Sequence, residues 1–242
     1  MNELENIKTE GLIEKIEIWD NSKRAKYLIN IFWIITGLTI TGIISNYYEL
    51  ELLKNAQIEQ YIDEGEANAN DMRQGVIGIV QFIIYIISVV LFLNWFRRAY
   101  GNLHRLKISY LNHKETMAVW SWIIPIISLF RPVQIMTEIW TETQEKIKKM
   151  DSSYLIENGG FIIGLWWTLF IISNFIGKYV VKTAFKQDTI EQLIEGSRAM
   201  IISDLIQIPE ALLVILIVFR LSKIESKLAD EVKKSGGNII YK

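Results

Sequence analysis

The stretch GVIGIVQFIIYIISVVLFLNWF, residues 75–96, runs for 22 residues without a charge and stops at Arg97-Arg98. An α-helix of that length, rising 1.5 Å per residue, is about 33 Å long, and the hydrocarbon core of a bilayer is about 30 Å thick. A surface helix of a soluble protein keeps a charged face toward water, and this stretch has none. It reads as a membrane span. On its N-terminal side, residues 49–74 hold seven acidic residues and only two basic ones, Lys54 and Arg73. Before them lies a second apolar block, 27–48, with Trp33 inside it and Tyr47-Tyr48 at its far edge, where aromatic side chains favour the membrane–water interface. On the C-terminal side, residues 97–117 carry Arg97, Arg98, Arg105, Lys107 and Lys114, and further apolar blocks follow at 118–140, 160–181 and 199–221. Half of the 242 residues are hydrophobic, and they are concentrated in these blocks.

The expected fold is an all-α integral membrane protein without a soluble globular domain: a polytopic membrane domain over 27–222, a cytoplasmic N-terminal segment, 1–26, and a charged cytoplasmic tail, 223–242. Within the first segment Leu12, Ile16 and Trp19 have the spacing of a short amphipathic helix. The first apolar block begins behind charged residues and is too long for a signal-peptide core, so it is expected to be retained as a span.

The block at 118–140 differs from the others. It is apolar for only its first dozen or so residues, contains Pro125, meets Arg131-Pro132, and then turns amphipathic. Basic residues near span ends favour the cytoplasm. If all five blocks cross, the cytoplasmic flanks carry 13 Lys and Arg and the outer flanks 11; if 118–140 dips in and returns, the counts are 19 and 5. The second arrangement restores the bias, so the reading is four transmembrane helices plus a Pro-containing re-entrant or kinked segment, with both termini cytoplasmic. Five transmembrane helices, the third of them kinked, is the alternative.

Trp122-x-x-Pro125 followed by Arg131-Pro132-x-Gln134-x-Met136-x-Glu138-Ile139-Trp140 resembles the signature of a bacterial membrane family, domain of unknown function 4328. Trp95-Phe96-Arg97-Arg98-Ala99-Tyr100-x-Asn102-Leu103, Trp166-Trp167 and Phe219-Arg220-Leu221 are similar to further parts of it. The resemblance implies a multi-spanning membrane domain and carries no activity over to this chain.

Ionisable groups inside hydrocarbon are costly and demand a partner or a use. The last block holds Asp204 and Glu210, with Gln207 on the same helical face and Pro209 between them. Arg131 is the expected partner, which gives a candidate intramembrane cluster of Arg131, Asp204, Gln207 and Glu210. The cluster reads either as a structural clamp or as a relay for protons or ions. Gln81, Tyr85 and Ser88 in the second block, and Gly37, Thr41 and Ser45 in the first, share faces in the manner of close helix packing.

Other chemistries are poorly served. The chain has no cysteine and two histidines, His104 and His113. Nothing in it has the form of G-x-S-x-G, H-E-x-x-H or a P-loop, so no enzyme, cofactor or metal site is expected. No basic, aromatic-interleaved surface stands apart from the span flanks, which argues against nucleic-acid binding. The expected role is that of a structural or accessory protein of the cytoplasmic membrane, binding the lipid bilayer, other membrane proteins or further copies of itself. A small oligomeric channel or transporter using the intramembrane cluster is the alternative.

Overall fold

The computed structural model describes residues 17–185 and 189–241. Six α-helices run in chain order: α1 (Ser22–Glu59), α2 (Glu64–Arg105), α3 (Met117–Ile123), α4 (Arg131–Met150), α5 (Gly160–Ala184) and α6 (Ile190–Lys234). A turn of 3-10 helix, Ile126–Leu129, joins α3 to α4, and two three-residue strands, β1 (Glu17–Trp19) and β2 (Asn238–Ile240), pair in parallel.

Among the described residues four helices, α1, α2, α5 and α6, are long and apolar enough to cross a membrane. They contain the blocks at 27–48, 75–96, 160–181 and 199–221, and the chain is a membrane protein. The block at 118–140 is not a fifth such helix, nor is it one kinked helix. Pro125 excludes helical backbone at the residue before it, and Ile124 is extended, with φ −77° and ψ 120°. Helix resumes at Arg131-Pro132, where a missing N–H costs nothing because first-turn amides have no partner within the helix. From there α4 continues to Met150, well beyond the apolar block.

The amphipathic helix expected near the N-terminus does not include Trp19, which is extended in β1; Leu12 and Ile16 lie outside the described residues. β1 and β2 pair in the register Glu17↔Asn238, Ile18↔Ile239 and Trp19↔Ile240.

The chain forms two compact units. One comprises the described parts of Met1–Arg24, Asn94–Gly159 and Arg220–Lys242, and the other comprises Ala25–Leu93 and Gly160–Phe219. The first has a close-packed core, which the sequence reading did not anticipate: Ile18, Trp95, Phe96, Tyr100, Leu103, Ile135, Met136, Ile139, Ile147 and Leu228 are all buried. Helix α4 supplies a regular stripe to it (Pro132, Ile135, Met136, Ile139, Trp140, Thr143, Gln144 and Ile147) at the three- and four-residue spacing of one helical face. Each large apolar side chain buried this way contributes about 1.5–3 kcal/mol.

The second unit is built differently. Only 6% of the residues in the apolar window of α2 and 11% of those in α5 are buried, so few side chains of these spans are enclosed. Where helices do meet, Leu50 and Leu53 of α1 pack with Ile194 of α6. Phe92 of α2 packs on Trp166 of α5 with ring centroids 6.2 Å apart. Polar side chains make further contacts, in keeping with spans that have no hydrophobic reason to associate among equally apolar lipid tails.

A polar seam in the spans and an acid-centred cleft

The seam belongs to the unit of four spans. Along α1, Thr39, Gly42, Asn46 and Glu49 fall three or four residues apart and therefore share a face. Thr39 Oγ1 donates to Gln207 Oε1 of α6 at 2.9 Å, and Asn46 Nδ2 donates to Asp204 Oδ2 of α6 at 3.4 Å. The Asn46 carbonyl accepts from Gln74 Nε2 of α2 at 3.1 Å, and Gln74 Oε1 accepts from Ser45 Oγ at 3.0 Å. Arg73 reaches Ser45 Oγ at 3.0 Å and also Asn70 Oδ1. Glu49 closes the row, accepting from Asn70 Nδ2 at 3.2 Å and from Ser197 Oγ of α6 at 2.8 Å. Gly42 makes this convergence possible, because a Cβ there would lie 2.7 Å from Gln81 Nε2 and 3.1 Å from Asp204 Oδ2.

Asp204 and Gln207 thus face a common partner helix, as their spacing on α6 suggests. Glu210 is held separately, accepting a hydrogen bond from Ser173 Oγ of α5. Arg131 begins α4 in the other unit, where its Nε is buried without a hydrogen-bond partner among the described residues. The donors that Asp204 and Glu210 do have are a neutral amide and a hydroxyl, which satisfy a carboxylate without bringing in a second buried charge.

In the first unit the motif residues do two jobs. Pro132 and Trp140 lie on the buried stripe of α4, and Trp140 Nε1 donates to Glu157 O at 2.8 Å. Trp122 packs its ring on Phe96, with centroids 5.8 Å apart, and Pro125 ends α3. Gln134 and Glu138 instead line a cleft of about 570 Å³ with Asn112, His113, Val133 and Thr137. Glu138 is the hub of that cleft. Its Oε2 lies 2.7 Å from the Tyr100 hydroxyl, and its Oε1 accepts from Asn112 N at 3.1 Å and from Asn112 Nδ2. Tyr100 also reaches His113 O at 2.9 Å. Burial and the adjacent carboxylate push the Tyr100 phenol well above its ordinary range, so it stays a proton donor to Glu138.

Sequence reasoning singled out neither the Gln144 nor the Glu225 site. Gln144, fully buried, donates to Trp140 O and Glu157 O at 3.0 Å each and accepts from Glu157 N at 2.7 Å, stapling the 151–159 segment to α4. Its signal was a polar residue four positions after Trp140 on an apolar stripe. Asn21 Nδ2 bridges Trp95 O at 3.2 Å and both oxygens of Glu225, at 3.2 and 3.3 Å. Burial pushes the Glu225 carboxyl up to about 7. The Trp19 ring meets the guanidinium groups of Arg105, 3.7 Å from its centroid, and Arg98, at 4.4 Å. Asn102 pairs with the Trp19 backbone in both directions, accepting from its N–H at 2.9 Å and donating to its carbonyl at 2.8 Å.

Residues 59–223 match the family model described as Domain of unknown function (DUF4328). No curated protein and no solved structure matches the chain.

Proposed function

The chain belongs to the DUF4328 family, and from that premise we propose that it is a multi-pass structural or accessory protein of the cytoplasmic membrane that binds other membrane components and catalyses no reaction. The observation that carries this reading is how the interior polar groups of the spans are used. Asp204, Gln207 and Glu210 are each committed to a donor on a neighbouring helix, Asn46, Thr39 and Ser173 respectively, which is the behaviour of clamps. The largely uncovered spans α2 and α5 leave wide apolar surface for lipid and for other membrane proteins.

The topology expected from charge counting gains support from the strand pair. Residues 17–19 and 238–240 are hydrogen-bonded to one another, which supports an even number of crossings between them. The abundance of Lys and Arg in the flanks favours the cytoplasm for that side. Because the chain has no cysteine, single cysteines at Asn68, Ser152 and Ser235 can be tested with an impermeant reagent in intact cells. Labelling of Asn68 alone is expected; labelling of Ser235 refutes the assignment.

A second reading has its own observation. The row from Gln207 through Asp204, Asn46 and Gln74 to Glu49 is a run of exchangeable donors and acceptors inside a span, as a proton or cation path in a small oligomeric channel or transporter requires. Purified protein in liposomes distinguishes the two. The accessory reading expects no proton or potassium flux above that of empty vesicles. Flux abolished by Asp204→Asn establishes the second reading instead.

A further inference from the structure

Residues 117–130, MAVWSWIIPIISLF, contain no charge, although they lie between Glu115 and Arg131 in the unit that has a soluble-type core. The inner side of this corner is packed: Ala118 and Ser121 are fully buried, and Trp122 rests on Phe96. Its outer side is bare. Trp120, Ile123, Ile124, Ile126, Leu129 and Phe130 are exposed by 39–75%, an apolar surface that no element among the described residues covers. A patch of this kind marks a surface that something apolar covers.

The depth of the corner identifies what covers it. Phe96 is the last residue of the apolar run of α2, immediately before Arg97-Arg98, so the Trp122–Phe96 contact fixes α3 at the level where α2 leaves the hydrocarbon. Arg97 is ion-paired to Glu115 at 3.9 Å, just ahead of α3. At the other end, Trp140 bonds Glu157 O, three residues before α5 begins at Gly160. The exposed apolar corner is therefore tied to the end of α2. Its backbone is also strained: Ile126, a β-branched residue, has φ +31° in the left-handed region, and this turn directs an isoleucine outward at the tip.

We propose that the α3–3-10 corner is a membrane wedge whose six apolar side chains, from Trp120 to Phe130, insert among the lipid acyl chains just below the headgroups of the leaflet at which α2 ends. Arg97 and Arg131 flank it at headgroup level, and Trp120 sits where indole rings favour the interface. The wedge lies in one leaflet and does not reach the bilayer midplane. It rests on the chain being a membrane protein and is independent of whether that protein is an accessory factor or a channel.

The test uses the cysteine-free chain. Ile126→Cys is labelled with an environment-sensitive nitrobenzoxadiazole dye and reconstituted in phosphatidylcholine–phosphatidylglycerol vesicles. Quenching is read from lipids carrying a nitroxide at acyl carbon 5 or carbon 12 and from aqueous iodide. The wedge predicts stronger quenching from carbon 5 than from carbon 12, and iodide quenching at least threefold weaker than for the same dye on Ser152→Cys. Iodide quenching equal to that control places the corner in water and overturns the proposal. Shielding from both iodide and nitroxide means that protein covers it, a second copy included, and also overturns it. Stronger quenching from carbon 12 makes it a deep re-entrant element, not a wedge. Trp120→Cys serves as a second reporter should Ile126→Cys fail to fold. A Val89→Cys label in α2 separates failure of the wedge from failure of the membrane assignment, because that site is protected from iodide only if α2 spans.

Discussion

At the scale of single residues, the first unit behaves like a soluble protein, and its buried polar atoms divide into those with partners and those without. Gln144 has all of its capacity in use. Gln144→Leu strands the Glu157 amide and carbonyl and is expected to destabilise the protein by about 1–3 kcal/mol, read as a lowered midpoint of thermal unfolding in detergent. Ser121 is as deeply buried, but its hydroxyl has no partner. Ser121→Ala is therefore expected to leave that midpoint unchanged or raise it slightly. Glu225 gives a pH signature. Its carboxyl titrates near 7 in the folded chain against 4.5 when unfolded, so between those values the folded state binds more protons. Its stabilising contribution is complete below about 4.5 and is lost as pH rises through about 7. Thermal midpoints measured from pH 5 to 8 should fall in the wild type and flatten in Glu225→Gln.

At the scale of elements, proline and glycine positions decide more than hydrophobicity does. Pro125 and Pro132 turn what reads as one imperfect span into α3, a 3-10 turn and an amphipathic α4. Their sequence signal was the break itself. What could not be read was that α4 would serve a core made from α2, the last turns of α6 and the strand pair, since that depends on contacts between distant segments. Gly42 illustrates a local rule with a long-range reason, being small because Gln81 and Asp204 converge on it. Gly42→Ala is expected to be tolerated with a modest loss of stability, because the Gln81 amide is the end of a flexible side chain, and Gln81→Ala should relieve that loss in the double mutant. Gly42→Val should separate α1 from α6, seen as loss of the monodisperse peak in size-exclusion chromatography.

For the whole molecule, the four spans were legible because their length and lack of charge are local properties, and Asp204, Gln207 and Glu210 were legible as an inward stripe because helical spacing is local too. The place of Arg131 was harder to read: charge complementarity alone suggests a partner, whereas its own setting, at the head of α4, follows from the break at Pro125 to Pro132. Trp19 was read as a helical residue because its pairing strand lies at the far end of the chain. The two cation–π contacts should make that strand pair dependent on it. Trp19→Ala is expected to remove about 1–2 kcal/mol of local stability and to speed amide hydrogen exchange at Ile239 and Ile240, with exchange in α5 unchanged.

The strand pair also sets a timetable for synthesis. β1 is among the first described segments to leave the ribosome, whereas its partner follows roughly 220 residues later, a delay on the order of ten seconds or more at ordinary translation rates. Asn102 arrives much earlier, 83 residues after Trp19, and offers that residue's backbone the same two hydrogen bonds a neighbouring strand would. The nascent chain thus has a placeholder for β1 while the later spans are still being inserted, until β2 is made and takes its place beside it.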